Sequence, residues 1–149
     1  MIKVKEDLKR YIALDNKDYY SKTRKDKFFS FILQDEEYKI YKYKKLLRYQ
    51  EFHFNNNNRI RSLYYCYRKN RLGTVLGFLI PINCFNEGIV IYHYGSVIIN
   101  NHAKIGKNCK IHGNNCIGNN GTSLEAPILG DNVDIGFGAT IIGAITIGN

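Results

Sequence analysis

Val97-Ile98-Ile99-Asn100-Asn101-His102-Ala103-Lys104-Ile105-Gly106-Lys107-Asn108-Cys109-Lys110-Ile111-His112-Gly113-Asn114-Asn115-Cys116-Ile117-Gly118 places an isoleucine at every sixth position. Ile99, Ile105, Ile111 and Ile117 hold the phase, and after a gap Leu129, Ile135, Ile141 and Ile147 resume it. Two residues before each stands a second column, mostly small or aliphatic: Val97, Ala103, Cys109, Asn115, Pro127, Val133, Ala139 and Ile145. Glycine often follows the aliphatic, at Gly106, Gly118, Gly130, Gly136 and Gly148. Three residues after it come Asn108, Asn114, Asn120, Asn132 and Gly138, the types that best tolerate positive φ at a tight corner. Helices repeat at 3.6 residues and strands at 2, so neither explains a period of six. A triangular solenoid does, with a short strand on each face, a turn at each corner and an aliphatic pointing inward from each face. Three such hexapeptides make a coil of about 18 residues.

The gap is informative. Thr122 to Ala126 stands where the next inward aliphatic belongs, so this piece is expected to loop out, and loops on a rigid scaffold commonly carry function. Upstream, His93 lies six before Ile99 on the inward phase, whereas Ile89 and Ile91 alternate just before it. That alternation implies a register reset between Tyr92 and Ser96, which would turn the His93 ring outward. Both placements of the ring, inward and outward, follow from the spacing.

Ahead of Gly77 the pattern is helical. A short helix is expected around Lys5 to Ala13, a longer one from Asp26 to about Tyr49, a polar break over Asn55 to Asn58, and another helix along Ile60, Leu63, Tyr64 and Tyr67 ending near Asn70 to Gly73. The tyrosines Tyr64, Tyr65 and Tyr67 are expected to pack in a core. The organisation predicted is an α-helical region over 1–76 followed by a β-helix over 77–149 that stops before its last coils.

Composition bounds the rest. Residues 1–71 hold 19 of the 22 Lys/Arg and 9 of the 13 Asp/Glu, a net +10, against −1 for the remainder. The cations alternate with acids and helix formers, which reads as a solvated helical face, and no nucleic-acid-binding motif accompanies them. The longest apolar run, Val75 to Ile82, is too short to span a bilayer and contains Gly77 and Pro81. The N-terminal residues lack an apolar leader core, and the four cysteines form no CxxC pair, so a cytoplasmic protein with reduced thiols is expected.

The segment Gly88-Ile89-Val90-Ile91-Tyr92-His93-Tyr94-Gly95-Ser96-Val97-Ile98-Ile99-Asn100 resembles the hexapeptide-repeat acyltransferases, specifically the serine acetyltransferase branch with its capsule and exopolysaccharide relatives. The resemblance continues through Lys104-Ile105-Gly106, Cys116-Ile117-Gly118 and Ala126-Pro127-Ile128-Leu129-Gly130-Asp131-Asn132. It implies a left-handed parallel β-helix, homotrimeric assembly, acetyl-CoA as donor, and His93 as the general base that deprotonates an acceptor hydroxyl. Imidazole suits that task because its ordinary pKa of about 6.5 leaves it neutral and basic near pH 7. The resemblance further implies that the backbone at Phe137, Gly138 and Ala139 lies along the pantetheine arm.

Three departures from the serine acetyltransferases weigh against L-serine. Tyr92 replaces the aspartate before the histidine, Ala126 replaces the loop histidine before Pro127, and Phe78 stands where the orienting carboxylate belongs. A sugar or polysaccharide-precursor hydroxyl is therefore the expected acceptor, with serine O-acetylation, or a truncated non-catalytic scaffold subunit, as the alternatives. Tyr92, His112 and Glu125 are candidates to orient the base or to touch the acceptor. The same solenoid also hosts zinc-dependent carbonic anhydrases, but His93, His102 and His112 fall on three different phases of the six-residue grid, so no metal site is expected.

Overall fold

The structure, a computed structural model, describes residues 1–148. The chain divides into two compact units, the first spanning Met1–Leu76 and the second beginning at Gly77.

The first unit holds α1 (Lys5–Asp15), α2 (Lys17–Ser21), α3 (Arg24–Leu33), α4 (Glu36–Asn55) and α5 (Arg59–Leu76). The stretch expected to be one helix from Asp26 is two. Gln34, in the left-handed region at φ 50°, closes α3, and the Asp35 side chain accepts from the Tyr38 amide to start α4. Thr23 caps α3 in the same way through the Asp26 amide. Capping side chains satisfy amides that have no intrahelical partner, which is why the boundary falls at these two residues.

Ile2, Leu8, Tyr11 and Ile12 pack with Tyr49 and Phe52 where α1 lies on α4. Beside this apolar cluster is an ionic one. The fully buried Arg48 guanidinium sits 2.6 Å from Asp15 and 2.8 Å from Glu51, over the Tyr11 ring at 4.9 Å. The two carboxylates hold Arg48 charged despite the burial that opposes it. On α5 the tyrosine expectation fails in part. Tyr65 turns toward α4 and stacks on Tyr49, whereas Ile60, Leu63, Tyr64 and Tyr67 are exposed. Arg68 and Arg71, four residues on from Tyr64 and Tyr67, lie over those rings at 5.5 and 5.8 Å.

The second unit is a three-sided parallel β-solenoid of about four turns. One face stacks β1 (Phe78–Leu79), β3 (Val97–Ile99), β6 (Asn115–Gly118) and β9 (Thr140–Ile142). The second stacks β4 (Lys104–Ile105), β7 (Ile128–Leu129) and β10 (Thr146–Ile147), and the third stacks β2 (Val90–Ile91), β5 (Lys110–Ile111) and β8 (Asp134–Ile135). The hexapeptide column points inward as expected: Ile99, Ile105, Ile111, Ile117, Leu129 and Ile135 are each no more than 3% exposed. Burying such a side chain fully stabilises by roughly 1.5–3 kcal/mol, so this column contributes substantially to the unit's stability. Corners take the predicted left-handed conformation at Asn108, Asn114, Asn132 and Gly138. Asn120 does not, because it lies in the insertion, where its side chain accepts from the Thr122 and Ser123 amides.

Strand register shows the two irregularities. Ile91 pairs with Ile111, 20 positions away, where a regular coil has about 18, so two extra residues lie between β2 and β3. Ile105 pairs with Leu129, 24 positions away, so six extra residues leave the solenoid between β6 and β7.

Candidate functional site

The two-residue excess decides where His93 points. With Ile91 inward on β2 and Val97 inward on β3, Tyr92, His93 and Tyr94 are pushed out at the corner and all are exposed. The outward alternative left open by the spacing is the one adopted.

Below His93 along the corner lie Gly113 and then Phe137, each one turn further on. A Cβ built on Gly113 would stand 3.6 Å from His93 Cβ and 3.4 Å from the Phe137 ring, and Gly113 has φ +118°. A Cβ would make only ordinary contact with both side chains, so it is the positive φ that calls for glycine there. The next residue column along the third face holds Tyr92 and His112, whose rings are 4.6 Å apart between centroids. His112 Nε2 is 2.8 Å from Asp134 Oδ1, and Lys110 Nζ is 3.6 Å from the other oxygen of that carboxylate. The corner therefore brings together His93, Tyr92, His112 and Phe137, adds Asp134, and leaves Phe137 66% exposed.

A buried amide fixes this arrangement. Asn115 is 1% exposed and occupies an inward position otherwise held by small or aliphatic residues. Its Oδ1 accepts from Gly113 N at 2.9 Å, and its Nδ2 donates to Gly136 O at 2.7 Å and Ala139 O at 3.2 Å. One of these bonds braces the Gly113 turn within its own coil, and the other two tie that turn to the Phe137 corner of the next coil.

Of the backbone expected to meet the pantetheine arm, Gly138 N donates to Gly113 O and Ala139 N to Gly136 O. Those two donors are spent inside the solenoid. What the segment offers outward is the Phe137 ring and open space above Gly136 and Gly138, where a built Cβ meets nothing within 4 Å.

Glu125 is elsewhere. The six-residue excess leaves the solenoid after the first face and returns on the second, so Glu125 lines a cavity of about 500 Å³ with His102, Lys104, Leu124 and Ile128 on the second face. Within one chain it does not join His93. Among the described residues no three His, Cys, Asp or Glu side chains converge as metal ligands, and no helix is long and apolar enough to cross a membrane.

Asp134 and Asn115 escaped the sequence reading. Asp134 stands 22 residues from His112, an offset without meaning until the insertion's six extra residues are known. Asn115 carried a signal, as the one amide in an otherwise apolar column.

No protein-family model matches the chain, and no curated protein matches it in sequence. Among solved structures, the serine acetyltransferase from Brucella abortus strain S19 superposes with a TM-score of 0.64 at 16% identity. The match shows the fold. This chain is a left-handed β-helix preceded by a helical region, as that enzyme is. The superposition covers 95% of this chain and 55% of the other, so the chain spans about half the length of the structure it resembles.

Proposed function

We propose that the chain is an acyltransferase that moves the acetyl group of acetyl-CoA to a hydroxyl, with His93 as the general base. The observation that carries this reading is the corner itself: an exposed imidazole beside an exposed Phe137 ledge, on a solenoid similar in fold to a serine acetyltransferase. His93 takes the proton of the acceptor hydroxyl as that oxygen attacks the thioester carbonyl, and the thiol of CoA leaves. General-base help of this kind contributes about 10²–10⁴ in rate, and positioning supplies much of the remainder. Backbone amides are the natural donors to the developing oxyanion.

The acceptor proposed is a sugar or polysaccharide-precursor hydroxyl, because Tyr92, Ala126 and Phe78 stand where the serine-specific family residues belong. The assembly proposed is a homotrimer. A threefold ring apposes two different edges of each chain, which would let the Glu125 loop of one subunit approach the His93 corner of its neighbour.

A second reading rests on one distance. His112 Nε2 lies 2.8 Å from the Asp134 carboxylate, the arrangement that orients a base. In that reading His112 deprotonates the acceptor and His93 binds it. Thiol release from acetyl-CoA, measured with L-serine, nucleotide sugars and oligosaccharides as acceptors, tests the function. Release that requires a sugar supports the proposal; release with L-serine alone overturns the acceptor assignment.

A further inference from the structure

A second site lies in the helical unit. Tyr19, Tyr38, Tyr41, Lys42, Lys45, Leu46, Tyr49, Tyr65 and Arg68 of α2, α4 and α5 line a cavity of about 450 Å³, within the range of small-ligand sites. Its wall contains three cations and no carboxylate. Asp35, whose charge acts on the Tyr19 hydroxyl, is committed to the Tyr38 amide and the Ser30 hydroxyl. A basic groove with Tyr67 and Arg71 adjoins it through Lys42, Leu46 and Arg68.

The rings decide the ligand chemistry. Tyr41 has Tyr19 stacked on it at 4.1 Å and Lys45 Nζ over it at 5.2 Å. Tyr65 has Tyr49 stacked at 5.1 Å and His53 at 5.3 Å, and Tyr38 carries Lys42 at 5.7 Å. These contacts occupy ring faces of Tyr38, Tyr41 and Tyr65. The wall also offers phenol hydroxyls and cationic heads; Lys45 Nζ donates to Tyr41 Oη at 3.1 Å and Arg68 Nη1 to Tyr64 Oη at 2.9 Å, and each cation keeps further N–H donors. Burial and neighbouring phenols push the Tyr19 hydroxyl pKa upward, so it stays a donor through neutral pH. Lys42, Lys45 and Arg68 have no carboxylate within ion-pairing distance among the described residues. Clustered like charges in a partly enclosed wall repel one another until an anion enters.

We infer that this cavity binds a multiply charged oxyanion, held by Lys42, Lys45 and Arg68 and by the tyrosine hydroxyls. Pyrophosphate of a sugar nucleotide and the carboxylates of an acidic glycan share this chemistry. The inference does not depend on His93.

Isothermal titration of the full chain at low salt, with sodium pyrophosphate, tetragalacturonate and a single-stranded 20-mer oligonucleotide as probes, tests it. Saturable binding of pyrophosphate or of the uronate is expected, weakening as NaCl rises, and the arm that binds identifies the source of the oxyanion. The Lys42→Gln/Lys45→Gln/Arg68→Gln variant should lose about tenfold or more in affinity, because charge-assisted bonds are the strong ones. Tyr41→Phe, which keeps the ring, should show a smaller loss. Lys5→Gln/Lys9→Gln/Lys25→Gln removes equal charge away from the cavity and should bind as the parent does, as should His93→Ala. Absence of binding to both oxyanions at millimolar concentration overturns the inference. So does an equal loss in the two triple variants, or tighter binding of the oligonucleotide than of either oxyanion.

Discussion

Replacing Asn115 with valine tests whether the Gly113 and Phe137 corners, stacked below His93, are held together by one buried amide. Valine is the residue found at Val97 on the neighbouring coil of the same face, so the change restores the apolar column and should fit sterically. A solenoid stabilised by burial alone should gain from it. The hydrogen bonds argue the opposite. Gly113 N–H is buried and its acceptor is Asn115 Oδ1, so the variant orphans that donor. Gly136 O and Ala139 O lose one donor each but keep a second, from Ala139 N and Cys116 N respectively. An orphaned buried donor costs roughly 1–3 kcal/mol and each lost satisfied bond about 0.5–1.5 kcal/mol. The side chain's added apolar burial offsets about 1–2 kcal/mol of this. A net loss of about 2 kcal/mol is expected. Guanidinium denaturation followed by circular dichroism should show the midpoint falling by about 0.5 M, taking a slope of roughly 4 kcal/mol per molar. An Asn115→Val protein as stable as the parent, or more so, would refute the assignment of Asn115 as the tie between the two corners.

Further expectations follow from other parts of the molecule. Gly113→Ala forces a Cβ at φ +118° against the Phe137 ring and His93; it should cost about 1–3 kcal/mol and lower acetyl transfer at least tenfold, read by denaturation and by thiol release. Arg48→Met leaves Asp15 and Glu51 buried without their cation, and a loss of about 3–5 kcal/mol in thermal or chemical unfolding is expected. Burial lowers the Lys44 pKa to about 8. The unfolded chain then binds more protons than the folded one between about pH 8 and the ordinary lysine value near 10.4, so stability from this group rises with pH across that window. Unfolding free energies measured at pH 7.5 and 10 should show the Lys44 contribution to that rise vanish in Lys44→Met.

The solenoid was legible because its signal is redundant: eight aliphatic positions and their corner residues all repeat on one grid. The outward turn of His93 was half legible, since alternation at Ile89 and Ile91 hinted at the reset but only the pairing of Ile91 with Ile111 resolves it. Asp134 was hidden by the insertion, whose length sets which residues of successive coils become neighbours. Glu125 stands apart from His93 within the chain for a related reason, a loop's position in sequence not fixing the edge from which it leaves. In the helical unit the Ile60, Leu63, Tyr64 and Tyr67 spacing suggested a buried stripe, yet these side chains are exposed while Ser62, Lys69 and Gly73 of the same helix are buried. Periodicity reports that a helix has faces; which face is covered depends on partners that one sequence does not display. The Arg48 cluster was invisible in a basic segment, where one cation among many gives no sign of burial.

The most direct test of the central proposal is thiol release from acetyl-CoA, with a responsive sugar acceptor, by parent, His93→Ala and His112→Ala chains. The proposal predicts that His93→Ala loses about 10²-fold or more in kcat, while His112→Ala retains a substantial fraction. Near-complete loss in His112→Ala with activity preserved in His93→Ala would contradict it and transfer the role of base to the histidine that faces Asp134.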